Sequence, residues 1–540
     1  MVTDFDVAVV GYGPTGLVLS SLLGRAGHRV AVFERWPGLY GLPRLTHIDG
    51  ETARIVQACG DVEFALRDAS AKECYEWRNG AGDLLIAVDW SGESSGFAAH
   101  YSMYQPDIES AIDQRVRSYP NVEINQGVGV VAVETEPDHV ALVIRPWSRD
   151  RDEQWSAGAQ DRKVTARYVV GADGANSSVR NAVGIGRLDL GVDDRWLNLD
   201  TECLHPLGPD FEVTRQFCDP ARPNMFMPIG RSRQRFEVAV LPDDDADEME
   251  TEDFAWQWFR ERHGLGPSDL RILRQIIYTF SARTAQSWRQ GRVLLAGDAA
   301  HTMPPYMGQG ACSGMRDGIT LAWKLDLVLT GRSGDELLDT YEAERRPHVE
   351  VIQHCAVELG KVANLKDPAA AAARDAAFQR GEIPPLPSFP TITAGVIATA
   401  PDRSPQPLAG TLSPQGVISA DGRVGRFDDV LGWGFSVVTM RDPRTVLDDD
   451  QLSFLTELGA IIATLEPDCP GSFIDVADTY RTFLNVNGIE VYIARPDFHL
   501  YGAGSLSQLP DLVDSLRSAL FFQREFLQQE STADADLVAQ

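Results

Sequence analysis

The first residues in the chain with chemical potential are glycines. Residues 5–10 are apolar apart from Asp6, residues 14–26 read as a helix, and Gly11-Tyr12-Gly13-Pro14-Thr15-Gly16 joins the two. In such a setting Gly11 permits a tight turn, Gly13 lets the backbone approach a pyrophosphate, and Gly16 lets helix and strand pack closely. The helix then offers its free N–H groups and positive dipole end to phosphate oxygens. Pro14 in the first turn loses nothing, because its N–H would have had no partner there. A second strand over 29–33 ends at Glu34, a carboxylate able to accept hydrogen bonds from ribose hydroxyls. Together these features predict a dinucleotide site without separating NAD from FAD.

A second set lies in GRVLLAGDAAHTMPPYMGQGACSGMRDGITLAWKLD, residues 291–326. A buried strand ends in Gly297-Asp298, and a loop follows with Pro304, Pro305, Gly308, Gln309 and Gly310. A long helix then starts. An aspartate at a strand end can bind a polyol chain. A helix opening at Gly310 aims its N–H groups and dipole at whatever lies before it. A reduced flavin is anionic along one edge, and such a dipole stabilises that charge by typically ~0.3–1 kcal/mol.

The elements that must hold these loops are those of an α/β fold. The opening strand, helix and strand form a βαβ unit feeding a parallel sheet. Further strands are expected at 139–144, 167–171, 235–241 and 292–296, several with the period-two alternation of half-buried antiparallel strands. That predicts a Rossmann-like domain with an inserted mixed or antiparallel substrate sheet, at about 75–110 and 185–285 within 1–365. Residues 366–410, rich in Ala, Pro and Ser, read as a connector. Residues 411–525 read as a small separate α/β domain, and the last ten residues as a frayed tail. The acidic run from Asp243 to Asp253 reads as a solvated loop before a helix.

Composition narrows the function. A formal net charge of -29 argues against nucleic acid or anionic membrane as a partner. No apolar run approaches the ~18 residues of a membrane span, and the first residues lack the pattern of an export signal, so a cytoplasmic protein is expected. Seven dispersed cysteines without a CxxC pair fit reduced thiols, and the histidines form no metal-ligand cluster, so no metal site is predicted.

With a third segment between them, Tyr168-Val-Val-Gly-Ala-Asp173-Gly174-Ala-Asn-Ser-Ser-Val-Arg180, the two glycine loops resemble the three fingerprints of the class A flavoprotein monooxygenases. These are the single-component, FAD-dependent aromatic hydroxylases, and the likeness runs over about residues 1–355. The resemblance implies that Gly11, Gly13, Pro14, Thr15, Gly16, Glu34 and Arg35 meet the ADP half of FAD. It implies Arg44 on the pyrophosphate, Gln105 beside the ribityl chain, Val130 as a backbone contact to adenine, and Asp173 touching FAD. Asp298 would hold the ribityl hydroxyls, with Pro305, Gly308, Gln309, Gly310, Ala311 and Cys312 along the isoalloxazine; many relatives carry Asn in place of Cys312.

In this family NAD(P)H reduces FAD, which captures O2 as a C4a-hydroperoxide that hydroxylates a small phenolic ring. The cofactor carries that chemistry, so no catalytic triad is needed. The layout, with Asp219-Pro-Ala-Arg222-Pro and Arg235-Phe-Glu237, resembles the 3-(3-hydroxyphenyl)propionate and phenol hydroxylase subgroup. Ala494-Arg-Pro-Asp497 then resembles a strand ending of its thioredoxin-like C-terminal domain, expected to be structural or dimer-forming, hence a homodimer. For catalysis, His47 is expected as a phenol base or hydrogen-bond partner, with Pro304 and Pro305 as flavin-adjacent backbone. Tyr101, Phe217 and Met227 are expected to contact the substrate. The alternative is a flavin-dependent oxidase or reductase that inserts no oxygen; a disulfide reductase lacks its cysteine pair here, and a halogenase its WxWxIP segment.

Overall fold

The protein is described from a computed structural model that covers residues 3–149, 155–385 and 388–523; the ten-residue tail lies outside the described residues. Strands Val122–Gln126, Val30–Glu34, Phe5–Val10, Arg162–Gly171 and Val293–Leu295 run parallel as successive neighbours in one sheet. The antiparallel strands Val140–Arg149 and Val128–Thr135 extend it. Val7, Ala8 and Val9 are fully buried, as expected for a parallel strand covered on both faces. Helices Pro14–Arg25 and Gly310–Leu329 both start at loops beyond the ends of these strands, where α/β sheets bind ligands.

The inserted sheet has eight strands and two unlike faces. Its long strands Arg187–Cys203 and Leu270–Ala285 pair antiparallel, and Arg233–Ala239, Asn224–Ile229 and Thr214–Cys218 continue the sheet. Thr214–Cys218 then runs parallel to Cys74–Asn79. Leu197, Leu199, Phe226, Phe236 and Val238 point outward under helix Glu252–Trp258. Alternate residues, among them Trp196, Cys218 and Ala239, point inward and pack with Tyr75 and Tyr306. The acidic run read as a loop also contains a short helix, Ala246–Met249, capped by Asp245, and Thr251 caps the next one.

The segment expected as a connector carries helix Pro368–Gln379. Five consecutive alanines, Asp367 accepting from Ala370 N at the cap, and Pro368 in the first turn favour a helix over an open linker. Beyond it, strand Ser436–Thr439 lies between Ile461–Thr464, parallel, and Val491–Ala494, antiparallel, with Leu500–Gly504 at the edge. This C-terminal unit grips the helix that begins at the glycine-rich loop. Asp497 accepts from Thr320 Oγ1 (3.1 Å) and Trp323 Nε1 (3.0 Å), and Arg495 pairs with both Asp497 (2.6 Å) and Glu344 (2.7 Å). Lys324 completes the network on Glu344 at 2.8 Å. All four charged groups are essentially without solvent contact, an arrangement tolerable only because every charge has a partner. Among the described residues no helix is long and apolar enough to cross a membrane.

Candidate active site

The glycine turn is shaped by what touches it. Gly11 has φ +101°, and a Cβ there would stand 2.3 Å from the carbonyl oxygen of Ala172; one on Gly16 would stand 2.0 Å from that of Gly11. Gly13 differs, since a Cβ there would meet nothing within 4 Å. No protein neighbour requires its bareness, which suits a position kept clear for a ligand. Helix Pro14–Arg25 has no side-chain cap at Gly13, so the first N–H groups are free for an anion. Thr15 sits between Gly297 and Gly314, where a Cβ would approach its Oγ1 to 2.6 and 2.4 Å. The turn and the second loop are thus packed together through Thr15.

Glu34 closes its strand with each carboxylate oxygen on a backbone N–H, from Tyr12 (2.9 Å) and Trp36 (3.0 Å). Those bonds fix its direction and leave lone pairs for hydroxyl groups. Arg35 lies over the ring of Trp36, and a Cβ on Gly129, the neighbour of buried Val130, would lie 3.6 Å from Cβ of Arg35. Arg44 is exposed and stacks over Tyr40 at 4.3 Å. Gln105 supports it from behind: its Oε1 accepts from the N–H groups of Arg44 (2.8 Å) and Leu45 (2.7 Å), and its Nε2 donates to Glu109 (2.7 Å). The Asp173 carboxylate accepts from Ser177 Oγ (2.5 Å), Ser178 N (2.7 Å) and Val179 N (3.2 Å), so it caps a helix start while its backbone abuts Gly11.

The second loop presents Asp298 differently. Its side chain is exposed, yet enclosure by surrounding protein pushes its carboxyl above the ordinary carboxylate range. Both follow if it stands on the wall of an interior cleft, open to a small molecule but ringed by protein. Its neighbour Gly297 donates its N–H to Asp317 (3.0 Å), which also takes His301 (2.6 Å) and Arg345 (2.9 Å). Gly308 adopts φ +63°, and helix Gly310–Leu329 opens without a side-chain cap, leaving the N–H groups of Gly310, Ala311 and Cys312 free. Gln309 is turned inward, donating to Asp49 (3.0 Å) and accepting from Arg316 (2.9 Å). The buried thiol of Cys312 faces the carbonyls of Gly308 and His47, and burial pushes it up to about 12, so it stays protonated. Two uncapped helix starts, a cleft-wall acid and a turn with room at Gly13 fit FAD.

Beyond Gly308 lies the inward face of the inserted sheet. His47, buried, has Nδ1 3.3 Å from the carbonyl oxygen of Gly308 and Nε2 2.8 Å from Nδ1 of His100. The rings of His47 and His100 lie 5.1 Å apart within 27° of parallel, His100 stacks on Trp90, His47 meets Trp90 tilted, and Trp90 meets Tyr75 at 5.1 Å. Burial, then the neighbouring His100, brings His47 down to about 4, and burial lowers His100 as well. Pro304 is buried, and Pro305 begins the turn that ends at Gly308. Met227 accepts a hydrogen bond from Thr46 at 3.0 Å.

Two expected substrate residues stand elsewhere, both for reasons of strand parity. Tyr101 pairs with Ile48, on the opposite face from His47, His100 and Ser102, and its hydroxyl accepts from Ala98 N. Phe217 faces the outer layer, packed on Phe226 and under Arg262, while its neighbour Cys218 faces inward. Of the residues missed, His100, Trp90 and Tyr75 lie in no motif, and Glu237 entered only as part of the Arg235-Phe-Glu237 stretch, with no role given to it. The one usable signal was alternation, which puts His100 rather than Tyr101 on the side of His47.

The fold and this cleft define a flavoprotein of the FAD-binding α/β class. A family model described as "FAD binding domain" matches residues 4–355, and one described as "HcaD C-terminal domain" matches 410–519. The chain is 38% identical over 528 residues to the "probable NADH-specific resorcinol 4-hydroxylase" of Rhodococcus jostii (strain RHA1), covering 95% of each. It is 31% identical to the "3-(3-hydroxy-phenyl)propionate/3-hydroxycinnamic acid hydroxylase" of Mycolicibacterium gilvum (strain PYR-GCK), covering 96% of this chain and 92% of that one. Its fold matches the flavin-dependent monooxygenase PieE, solved with FAD and substrate, with a TM-score of 0.77 at 20% identity over 96% of this chain and all of that one. The chain belongs to the FAD-dependent aromatic hydroxylases, and it is an FAD-dependent, NAD(P)H-consuming oxidoreductase.

Proposed function

We propose that this enzyme hydroxylates a small phenol at the inward face of the inserted sheet, beside Gly308, with NADH as its reductant. Bound FAD would relay electrons from NADH to O2 and so activate the oxygen; the chain must position the ring and handle a proton. The observation that carries the reading is the histidine pair held against the loop's own backbone. A carbonyl can only accept, so the bond to Gly308 puts the hydrogen of His47 on Nδ1. Its Nε2 is then bare and accepts from Nδ1–H of His100, which leaves Nε2 of His100 as the free basic atom. Both rings are neutral near pH 7, so that atom can take the proton of a phenol and raise the ring's electron density. The imidazolium so formed shares its charge with His47.

For the cofactor, we read Arg44, Glu34 and the uncapped helix starts as the contacts to FAD, with Asp298 on the ribityl hydroxyls. Gln105 and Asp173 act by holding the loops that carry those contacts. The NADH preference is supported by the R. jostii relative, which is named for it. The test is a screen of phenols against the FAD-loaded enzyme, recording NADH oxidation together with hydroxylated product. Product from at least one phenol is expected. NADH consumption without any hydroxylated product across the panel would sink the reading.

A further inference from the structure

The inward face of the inserted sheet carries a row of hydrogen-bond acceptors that phenol hydroxylation alone does not require. Strand register puts Asn198 opposite Glu237, Glu237 opposite Met225, and Met225 opposite Gln216. Asn198, Glu237 and Gln216 are each buried to within 3% of completely. Asn198 Nδ2 donates to Glu237 Oε1 at 3.2 Å, and Gln216 Nε2 donates to the carbonyl of Asn224 at 3.1 Å. Those bonds fix which way each amide points. They leave Asn198 Oδ1 and Gln216 Oε1 buried without a hydrogen-bond partner. Such an unmatched acceptor costs roughly 1–3 kcal/mol, so its persistence points to a donor that arrives with a ligand. Burial also pushes the Glu237 carboxyl up to about 7.

The guanidinium groups on the same face are already matched. Arg235 is paired with Asp200 at 2.7 Å and donates to the carbonyls of Pro43 and Arg44. Arg274 is paired with the same aspartate at 2.5 Å, and Arg233 with Asp68 at 2.9 Å. Arg235 comes no closer to Glu237 than 3.7 Å. A ligand carboxylate placed here would meet a carboxyl and two amide oxygens with no free guanidinium, and an unpaired buried anion is strongly disfavoured. A neutral ring with two hydroxyls offers donors instead.

We infer that the row centred on Glu237 and Asn198 accepts the second hydroxyl of a neutral dihydroxybenzene, and that the site discriminates against phenols carrying a carboxylate. The inference rests on the phenol-hydroxylase reading above. The two relatives fall on either side of it: one is named for a neutral diol, the other for an aryl carboxylate.

The experiment measures hydroxylated product from resorcinol, phenol and 3-(3-hydroxyphenyl)propionate with the FAD-loaded wild type and with Glu237→Gln. The wild type should favour resorcinol over the propionate by about 100-fold or more in kcat/KM, well below the roughly 10⁴-fold or more by which polar sites can reject a mismatched ligand. Glu237→Gln should lower kcat/KM for resorcinol about 10-fold, mainly through KM, with phenol changing less than about 3-fold. A propionate rate equal to or above that of resorcinol overturns the inference while leaving the hydroxylase reading standing; equal losses for resorcinol and phenol in the variant do the same. If the variant fails to retain FAD, the wild-type ratio decides alone. If no phenol is hydroxylated, the hydroxylase reading falls and takes the inference with it.

Discussion

His47 Nε2 and His100 Nδ1 share a 2.8 Å hydrogen bond, with the other nitrogen of His47 anchored on the carbonyl of Gly308. Replacing His100 with Gln should keep FAD and NADH oxidation but lower hydroxylation about 100-fold, the usual yield of a positioned base. His47→Gln should have a smaller effect, because it removes the support rather than the reacting nitrogen. Product formation against NADH consumed measures both. Equal rates in wild type and His100→Gln would exclude His100 as the proton acceptor.

The same pair sets an acid limit on stability. His47 titrates near 4 in the fold against 6.5 for a free side chain. Between those values the unfolded chain binds the extra proton, so this contribution is complete above pH 6.5 and is lost as pH falls toward 4. Its upper bound is on the order of 3 kcal/mol. His263, also held near 4 by burial, adds a similar slope. Thermal unfolding from pH 7.5 to 4 should therefore show a falling Tm, and His47→Gln should flatten the fall without abolishing it.

Gly11 and Gly13 should part company on substitution. Gly11→Ala forces a Cβ onto the Ala172 carbonyl at a positive φ, and should cost several kcal/mol in the apo-protein as well as FAD binding. Gly13→Ala meets no protein atom, so apo-protein Tm should stay within about 1 °C while FAD affinity falls at least about 10-fold. Calorimetry of apo-protein alongside FAD titration separates the two.

Asp298→Ala removes an exposed carboxylate in the second loop, next to Gly297. Losing its charge-assisted bonds, worth roughly 1.5–3 kcal/mol each, should weaken FAD binding about 10- to 100-fold. Fluorescence of released flavin reports it. Unchanged FAD occupancy and reduction would remove Asp298 from the ribityl chain.

Asp497→Ala leaves Arg495 with the Val396 carbonyl and one carboxylate, Glu344, which it already shares with Lys324. Breaking a buried ion network in this way destabilises by about 3–5 kcal/mol. A marked drop in Tm is expected, with FAD lost at lower temperature than in wild type. A change in Tm below 2 °C would show the network to be dispensable.

The parts legible in the sequence were those governed by local geometry. Gly16 is pressed by Gly11 five residues away, and the turn, strand end and helix start around Gly11 and Gly297-Asp298 follow from local pattern, although the atoms that press on Gly11 and Gly297 belong to the distant Ala172 and Thr15. Tyr101 and Phe217 could not be placed, because one step along a strand moves a side chain to the other face, and register comes from partners far along the chain. Gln309 and Asp49 illustrate a second limit. Nothing local says that an amide in the glycine-rich loop will be drawn inward by Arg316. Glu237 is a third case, since Asn198 and Gln216, which share its face of the sheet, come from separate strands.

The clasp of Arg495 and Asp497 on the helix that starts at Gly310 bears on how such enzymes can be recombined. The two family segments look like modules, and a break after residue 410 looks like a natural joint. Swapping the C-terminal unit for that of a relative, or trimming it away, would leave Lys324, on the helix that opens at the glycine-rich loop, and Glu344, on the following helix Asp339–Ala363, facing a mismatched or missing partner. A chimera that keeps residues 310–350 and 490–500 from one parent should retain flavin. One that divides them between parents should be recovered colourless.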